Sequence, residues 1–181
     1  RQLAVKDYQG TAVPSQLTGA VYYPDGSIEK ARVHFVAEKV PSMGLKTYYL
    51  NASDALADIS RPAASVIENK YYRVELVNGG IKQITDKESG RQLLNTGKFL
   101  GGEVITMHSY GNGAGEFDAV QQPDMEGFDK TSAHPSAWTI VEEGPVFSAY
   151  KLRTPIRNAV IEQVIRVYHQ TKKIDMDVAL L

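Results

Sequence analysis

The chain has no cysteine in its 181 residues. Disulfides, thiolate metal sites and cysteine nucleophiles are therefore excluded, while the compartment stays open. It also lacks an excess of either charge, with a formal net charge of −1. Without a basic surplus there is nothing to condense onto nucleic acid, and no polybasic run for an anionic membrane. No apolar run approaches the ~20 residues of a membrane-spanning helix. Helical periodicity is nearly missing as well. What remains is ordinary for a globular chain, with 43% hydrophobic and 23% charged residues. A chain of this size buries about 70% of its unfolded surface, so it needs no metal or covalent staple to fold.

Short runs of alternating apolar and polar residues, broken by Gly, Pro, Asn and Asp, predict an all-β protein. Strands are expected at Ala4–Asp7, Gln16–Tyr23, Lys30–Ala37, Lys46–Asn51, Ser65–Glu68, Tyr72–Val77, Ile81–Asp86, Gly102–Ser109, Ser136–Glu143, Val146–Thr154, Ala159–Val167 and Ile174–Ala179. Tyr23-Pro24-Asp25-Gly26 reads as a turn, because Pro presets φ and Gly accepts the positive φ that follows. Asn78-Gly79-Gly80 between two alternating runs is a hairpin signal. Asp86–Gly90 reads as a longer turn closed by a left-handed glycine. Ser53–Ile59 has the look of a short helix with Ser53 or Asp54 as N-cap.

Arg61-Pro62-Ala63-Ala64-Ser65 combines small residues with one proline and reads as a linker. It places a boundary near residues 58–65. Residues 1–60 are then a small β-sandwich lacking its first strand, and residues 65–181 the beginning of a large antiparallel sandwich. Both ends of the chain fall inside strand-like patterns, and RQLAVKDYQG has no signal-peptide core. The chain therefore reads as a piece of a longer protein.

Gly101–Pro135 differs from the rest. It is rich in glycine and acidic residues with little period, and reads as a long loop region ordered by Tyr110, Phe117 and Phe128. A retaining glycosidase needs two carboxyls about 5–5.5 Å apart. Glu116, Asp118, Asp124, Glu126 and Asp129 supply carboxyls, but no spacing among them fixes a pair. His34, His108, His134 and His169 are scattered, with no metal-ligand spacing. Calcium at Asp124–Asp129 would have suitable oxygen ligands, though the spacing is not that of an EF-hand. Gly111-Asn112-Gly113-Ala114-Gly115 lacks the register of a nucleotide loop. Asn51-Ala52-Ser53 is a glycosylation sequon by pattern. The best candidate binding element is Ser109–Phe117, where Tyr110 and Phe117 can stack on sugar C–H faces and Asn112 and Glu116 can bind hydroxyls. The competing reading is a loop that only packs.

Several blocks carry a resemblance. They are Gly10-Thr11-Ala12-Val13-Pro14-Ser15-Gln16, Val33 to Tyr48 (VHFVAEKVPSMGLKTY), and Val66 to Leu94 (VIENKYYRVELVNGGIKQITDKESGRQLL). Glu142-Glu143-Gly144-Pro145-Val146, Ile161 to Tyr168 (IEQVIRVY) and Ile174-Asp175-Met176 follow. In this order they resemble blocks of glycoside hydrolase family 38, the α-mannosidases, with Leu45 at a position usually aromatic. Turn and core demands account for the residue types, so the blocks read as scaffold. Pro14, Pro41 and Pro145 fix φ at strand entries, and Gly44, Gly80, Gly90 and Gly144 supply turn conformations.

The resemblance implies a galactose-mutarotase-like supersandwich, opened by Val66–Leu94, behind a separate catalytic α/β barrel. The family's zinc ligands and Asp nucleophile lie in that barrel. No position here matches them, so no catalytic residue and no metal ligand is carried over. The implied function is the non-catalytic C-terminal part of a retaining α-mannosidase that uses zinc or another divalent metal, with an α-mannoside and the barrel as partners. A stand-alone carbohydrate-binding module is the alternative. A third reading is an aldose epimerase-like protein, with His108 and Glu116 as its acid–base pair.

Overall fold

The computed structural model describes residues 2–53, 65–110 and 122–181. It is an all-β protein. Fifteen strands are present among these residues, with one short 3-10 turn at Thr131–Ala133. In the first 53 residues β1 (Gln2–Asp7) pairs antiparallel with β2 (Ala12–Val13) and β5 (Tyr48–Ser53). β3 (Ser15–Tyr22) pairs antiparallel with β4 (Ile28–Phe35). Phe35 on β4 and Tyr48 on β5 pack their rings at 4.8 Å, joining the two small sheets.

A four-stranded sheet follows, in the order β6 (Val66–Glu68), β7 (Tyr72–Val77), β8 (Gly80–Asp86) and β9 (Arg91–Gln92). Alternation decides its faces. Ile67, Val74, Leu76 and Ile81 are buried. On the outer face Arg73 and Lys87 pair with Glu68 at 3.2 and 2.8 Å. Each fully buried apolar side chain of this kind contributes about 1.5–3 kcal/mol, whereas an exposed ion pair contributes at most about 1 kcal/mol. The inner face therefore sets the register.

β10 (Ile105–Tyr110) and β11 (Gln122–Lys130) form an antiparallel pair of their own. The last sheet runs β12 (Thr139–Glu143), β13 (Phe147–Ile156), β14 (Ala159–Tyr168) and β15 (Ile174–Leu180). On β14 every second residue, Ile161, Gln163, Ile165 and Val167, is buried. Gln163 is polar on an apolar face, and its Nε2 donates to the Gly102 carbonyl at 2.5 Å.

The twelve expected strands are all present, with ends shifted by up to three residues. Two short strands, β2 and β9, were not expected from the sequence. The larger departure is Gly101–Pro135. Its last part is not loop but strand, β11, followed by the 3-10 turn, whereas β10 is the strand expected at Gly102–Ser109. Most of Ser53–Ile59 and most of the Arg61–Ser65 linker lie outside the described residues.

Two compact units emerge from the contacts. One comprises Arg1–Pro62, Ile140–Ala149 and Arg166–Asp175; the other comprises Ala63–Thr139, Tyr150–Ile165 and Met176–Leu181. β13 and β14 supply residues to both.

Candidate functional site

The candidate binding loop springs from the β10–β11 pair. Its register runs Ile105 opposite Lys130 and Thr106 opposite Asp129, then shifts so that His108 faces Asp124. Three extra residues are thereby taken up on β11 between Asp124 and Asp129. Such bulges bend a strand and re-aim its side chains. Gly127 lies in this bulge. A Cβ there would stand 2.6 Å from the His108 ring, so only glycine lets the imidazole lie against the β11 backbone.

His108 Nε2 accepts a hydrogen bond from the Arg157 guanidinium at 2.8 Å. A guanidinium only donates, so Nε2 is the acceptor of this bond. Arg157 belongs to the two-residue connection between β13 and β14 and holds φ at +46°, a region that favours glycine. Beside it, the Asp129 carboxylate lies 2.8 Å from His134 Nε2 through both oxygens and also accepts the Lys130 backbone N–H at 2.8 Å. The His134 bond first, outweighing partial burial, holds the Asp129 carboxyl below its usual range. The pair is a charge-complementary clamp between β11 and the 3-10 turn. It has no nucleophile in bonding reach among the hydrogen bonds it makes.

Of the four predicted binding residues, Tyr110 is the last residue of β10. Asn112, Glu116 and Phe117 lie outside the described residues, as does Asp118. Glu126 and Asp129 are on β11 with Asp124. His108, offered as the acid–base partner of Glu116, has its Nε2 on Arg157 instead. Among the described residues no group of three or more His, Asp or Glu side chains is arranged to hold a metal ion. Sequence reasoning missed the Arg157–His108 contact, which joins residues 49 apart with no shared motif. The Asp129–His134 spacing, five residues across a strand end, was the readable part and was passed over.

Residues of five of the six resembling blocks, all but Val66–Leu94, meet elsewhere, around Phe147. Gln16 Oε1, from the first block, accepts the Phe147 backbone N–H at 3.1 Å. The His34 ring, from the second, stands edge-on to the Phe147 ring at 5.2 Å. The Tyr168 ring, from a later block, packs on it at 5.6 Å. Tyr168 Oη donates to Asp175 at 3.0 Å, and Lys173 reaches the same carboxylate at 2.8 Å. The Lys173 bond first keeps the Asp175 carboxyl low, while burial and the Asp175 bond push the Tyr168 phenol up. Gly144 serves this assembly by close approach, since a Cβ there would fall 2.4 Å from Gln16 Cδ. Gly80 likewise lies against the Gly101 carbonyl and Leu100, so neither glycine is there for a left-handed turn.

Comparison with known proteins places these observations. The sequence model described as the glycosyl hydrolases family 38 C-terminal domain matches residues 67–180. No curated protein matches the chain. Among solved structures, a protein in glycosyl hydrolase family 38 from Enterococcus faecalis superposes with a TM-score of 0.63 at 15% identity. An alpha-mannosidase from Enterococcus faecalis V583 superposes with a TM-score of 0.62 at 16% identity. Each match covers 99% of this chain, and the chain spans only 25% and 24% of those two proteins.

Proposed function

The chain belongs to glycoside hydrolase family 38 through the family's C-terminal domain, and from that premise we propose that it is the non-catalytic β-domain portion of a longer, retaining α-mannosidase-type hydrolase. The observation that carries the reading is the combination of a near-complete structural match with coverage of only a quarter of the matched chains. A segment so related contributes scaffold to a larger enzyme. Its own described residues support that division of labour. Gln16, His34 and Tyr168, each from a different block, build a packed cluster around Phe147 and not a cleft of paired carboxyls.

In this proposal the catalytic groups, including zinc or another divalent ion, belong to a separate barrel domain. The described His, Asp and Glu side chains include no group arranged to hold a metal ion. The chain's contribution is to hold the barrel and, through Tyr110, Asn112, Glu116 and Phe117, to wall the site that takes an α-mannoside. Stacking and hydroxyl-directed hydrogen bonds are what those residue types provide.

Two measurements test it. The purified 181-residue chain is expected to leave an aryl α-mannoside intact, with or without added zinc; turnover above the buffer rate would overturn the non-catalytic reading. The open reading frame containing the chain is expected to encode a catalytic α/β barrel, and a complete frame without one would overturn the hydrolase parent.

A further inference from the structure

In the first compact unit a groove lies between the β1–β2 turn and the loop that joins β4 to β5. It has a volume of about 710 Å3. Its lining is chemically unusual for a surface dent. Asp7, Glu38, Lys39 and Lys46 all line it, so its formal charges sum to zero. Tyr8 presents its ring at one wall with 62% of its surface open, and Leu45, 83% open, stands at the other.

Both walls are held before any ligand arrives. Asp7 Oδ1 accepts the Gln9 and Thr11 backbone N–H groups at 3.0 and 2.9 Å, which fixes the turn that carries Tyr8. Across the groove, Lys46 Nζ donates to the Glu38 carbonyl at 2.9 Å and ties the loop to its own base. Lys39 and Met43 hold φ at +52° and +55° in that loop. Backbone strain of this kind costs on the order of 1–3 kcal/mol per residue and gathers at ligand sites. A second hollow of about 360 Å3 continues past Asp7, Glu38 and Lys46 to Tyr48. The Tyr48 hydroxyl is buried there without a hydrogen-bond partner among the described residues.

The geometry points to a carbohydrate-binding groove on this unit, formed by Tyr8, Asp7, Glu38, Lys46 and Leu45. A lining whose formal charges sum to zero offers a charged ligand no net long-range attraction. A neutral ligand with many hydroxyls can use both signs, accepting from the ammonium of Lys46 and donating to the carboxylates of Asp7 and Glu38. The open Tyr8 ring calls for an apolar face on the same ligand, and a pyranose supplies one through its axial C–H groups. Pre-set walls keep the ordering cost of binding low. The groove chemistry selects a neutral sugar by itself; taking mannosides as the first probe rests on the proposed parent activity.

The test is calorimetric titration of the intact 181-residue chain with α-mannobiose, and with maltose as a second neutral disaccharide. Binding of at least one of them is expected, with little change on adding about 0.5 M salt, a roughly fourfold rise over physiological ionic strength. Tyr8→Ala is expected to weaken it roughly fivefold, and Tyr8→Phe to keep it within about twofold, the fold-changes that aromatic contact energies correspond to. Tyr8 is exposed, so circular dichroism of both variants should match the parent. Binding of maltose but not mannobiose supports the groove, and the aryl α-mannoside assay and reading frame judge the parent activity separately. Three results overturn the groove: no heat with either sugar, binding indifferent to Tyr8→Ala, or self-association in sedimentation velocity that Met43→Ser abolishes. The last would make the same face a protein contact.

Discussion

Gly79 and Gly90 both stand at positive φ, +80° and +68°, yet their surroundings differ. A Cβ on Gly79 would fall 2.3 Å from Ser132 Cα and 2.4 Å from its nitrogen, both backbone atoms. A Cβ on Gly90 would meet nothing within 4 Å. Gly90→Ala should therefore cost only the left-handed penalty, about 1–2 kcal/mol. Gly79→Ala adds displacement of the 3-10 turn, whose Thr131 hydroxyl donates to the Gly79 carbonyl at 2.8 Å, and should cost about 4 kcal/mol or more. Urea unfolding of the two variants checks this, and equal losses would refute the distinction. The sequence reached half of it. Asn78-Gly79-Gly80 and the Asp86–Gly90 turn announce where the chain must reverse, because turn chemistry is local. That Gly79 is walled in by residues more than fifty positions away has no local signature, and neither does the left-handed Arg157.

Strands were legible where alternation was unbroken. Tyr72–Val77 on β7 and Ala159–Tyr168 on β14 each bury one side of a period-2 pattern, and the sequence shows that pattern plainly. β11 was missed because its pattern is interrupted. Pro123 and Gly127 punctuate it, and the three-residue shift between its pairings with His108 and Thr106 resets which residues face which side. The segment linking β9 to β10 hides a further feature, the carboxylate of Glu103. Its side chain is 1% exposed. Leu100 N–H donates to it at 2.8 Å, Ser132 Oγ donates to it, and Lys130 Nζ stands 3.8 Å away. Burial pushes this carboxyl up, but the bonds from Ser132 and Leu100 with the Lys130 charge outweigh it and hold it below 4.5. A depressed carboxyl binds protons more weakly folded than unfolded. Its stabilising contribution is therefore present above the unfolded value of 4.5 and is lost as pH falls through the folded value. Glu103→Gln should lower the urea midpoint at about pH 7, and its gap from the parent should narrow progressively as pH falls below 4.5 and through the folded value. A gap that stays constant with pH would remove Glu103 from the acid response.

At the scale of the molecule, composition locates a linker but says nothing about which distant strands join which core. The first compact unit takes Ile140–Ala149 and Arg166–Asp175 along with the first 62 residues. Within it Phe147 is 2% exposed, and Gln16 and His34 cover it from β3 and β4. Truncation at the linker is thus not a neutral cut. A piece spanning residues 65–181 keeps Phe147 and Tyr168 but loses Gln16 and His34. The Phe147 N–H then loses its acceptor, and the aromatic face loses its cover. Baring a buried Phe forfeits about 1.5–3 kcal/mol of burial, and an unpaired buried N–H costs about 1–3 kcal/mol more. The 65–181 piece should melt below the whole chain, bind an apolar dye that the whole chain does not, and associate as its concentration rises. Adding Phe147→Ser to the piece should reduce the dye binding, whereas in the whole chain the same substitution should destabilise by about 3–5 kcal/mol. Calorimetry and dye fluorescence on the four proteins decide it. A 65–181 piece that melts with the whole chain and stays dark would mean that the residues around Phe147 are held without their N-terminal cover.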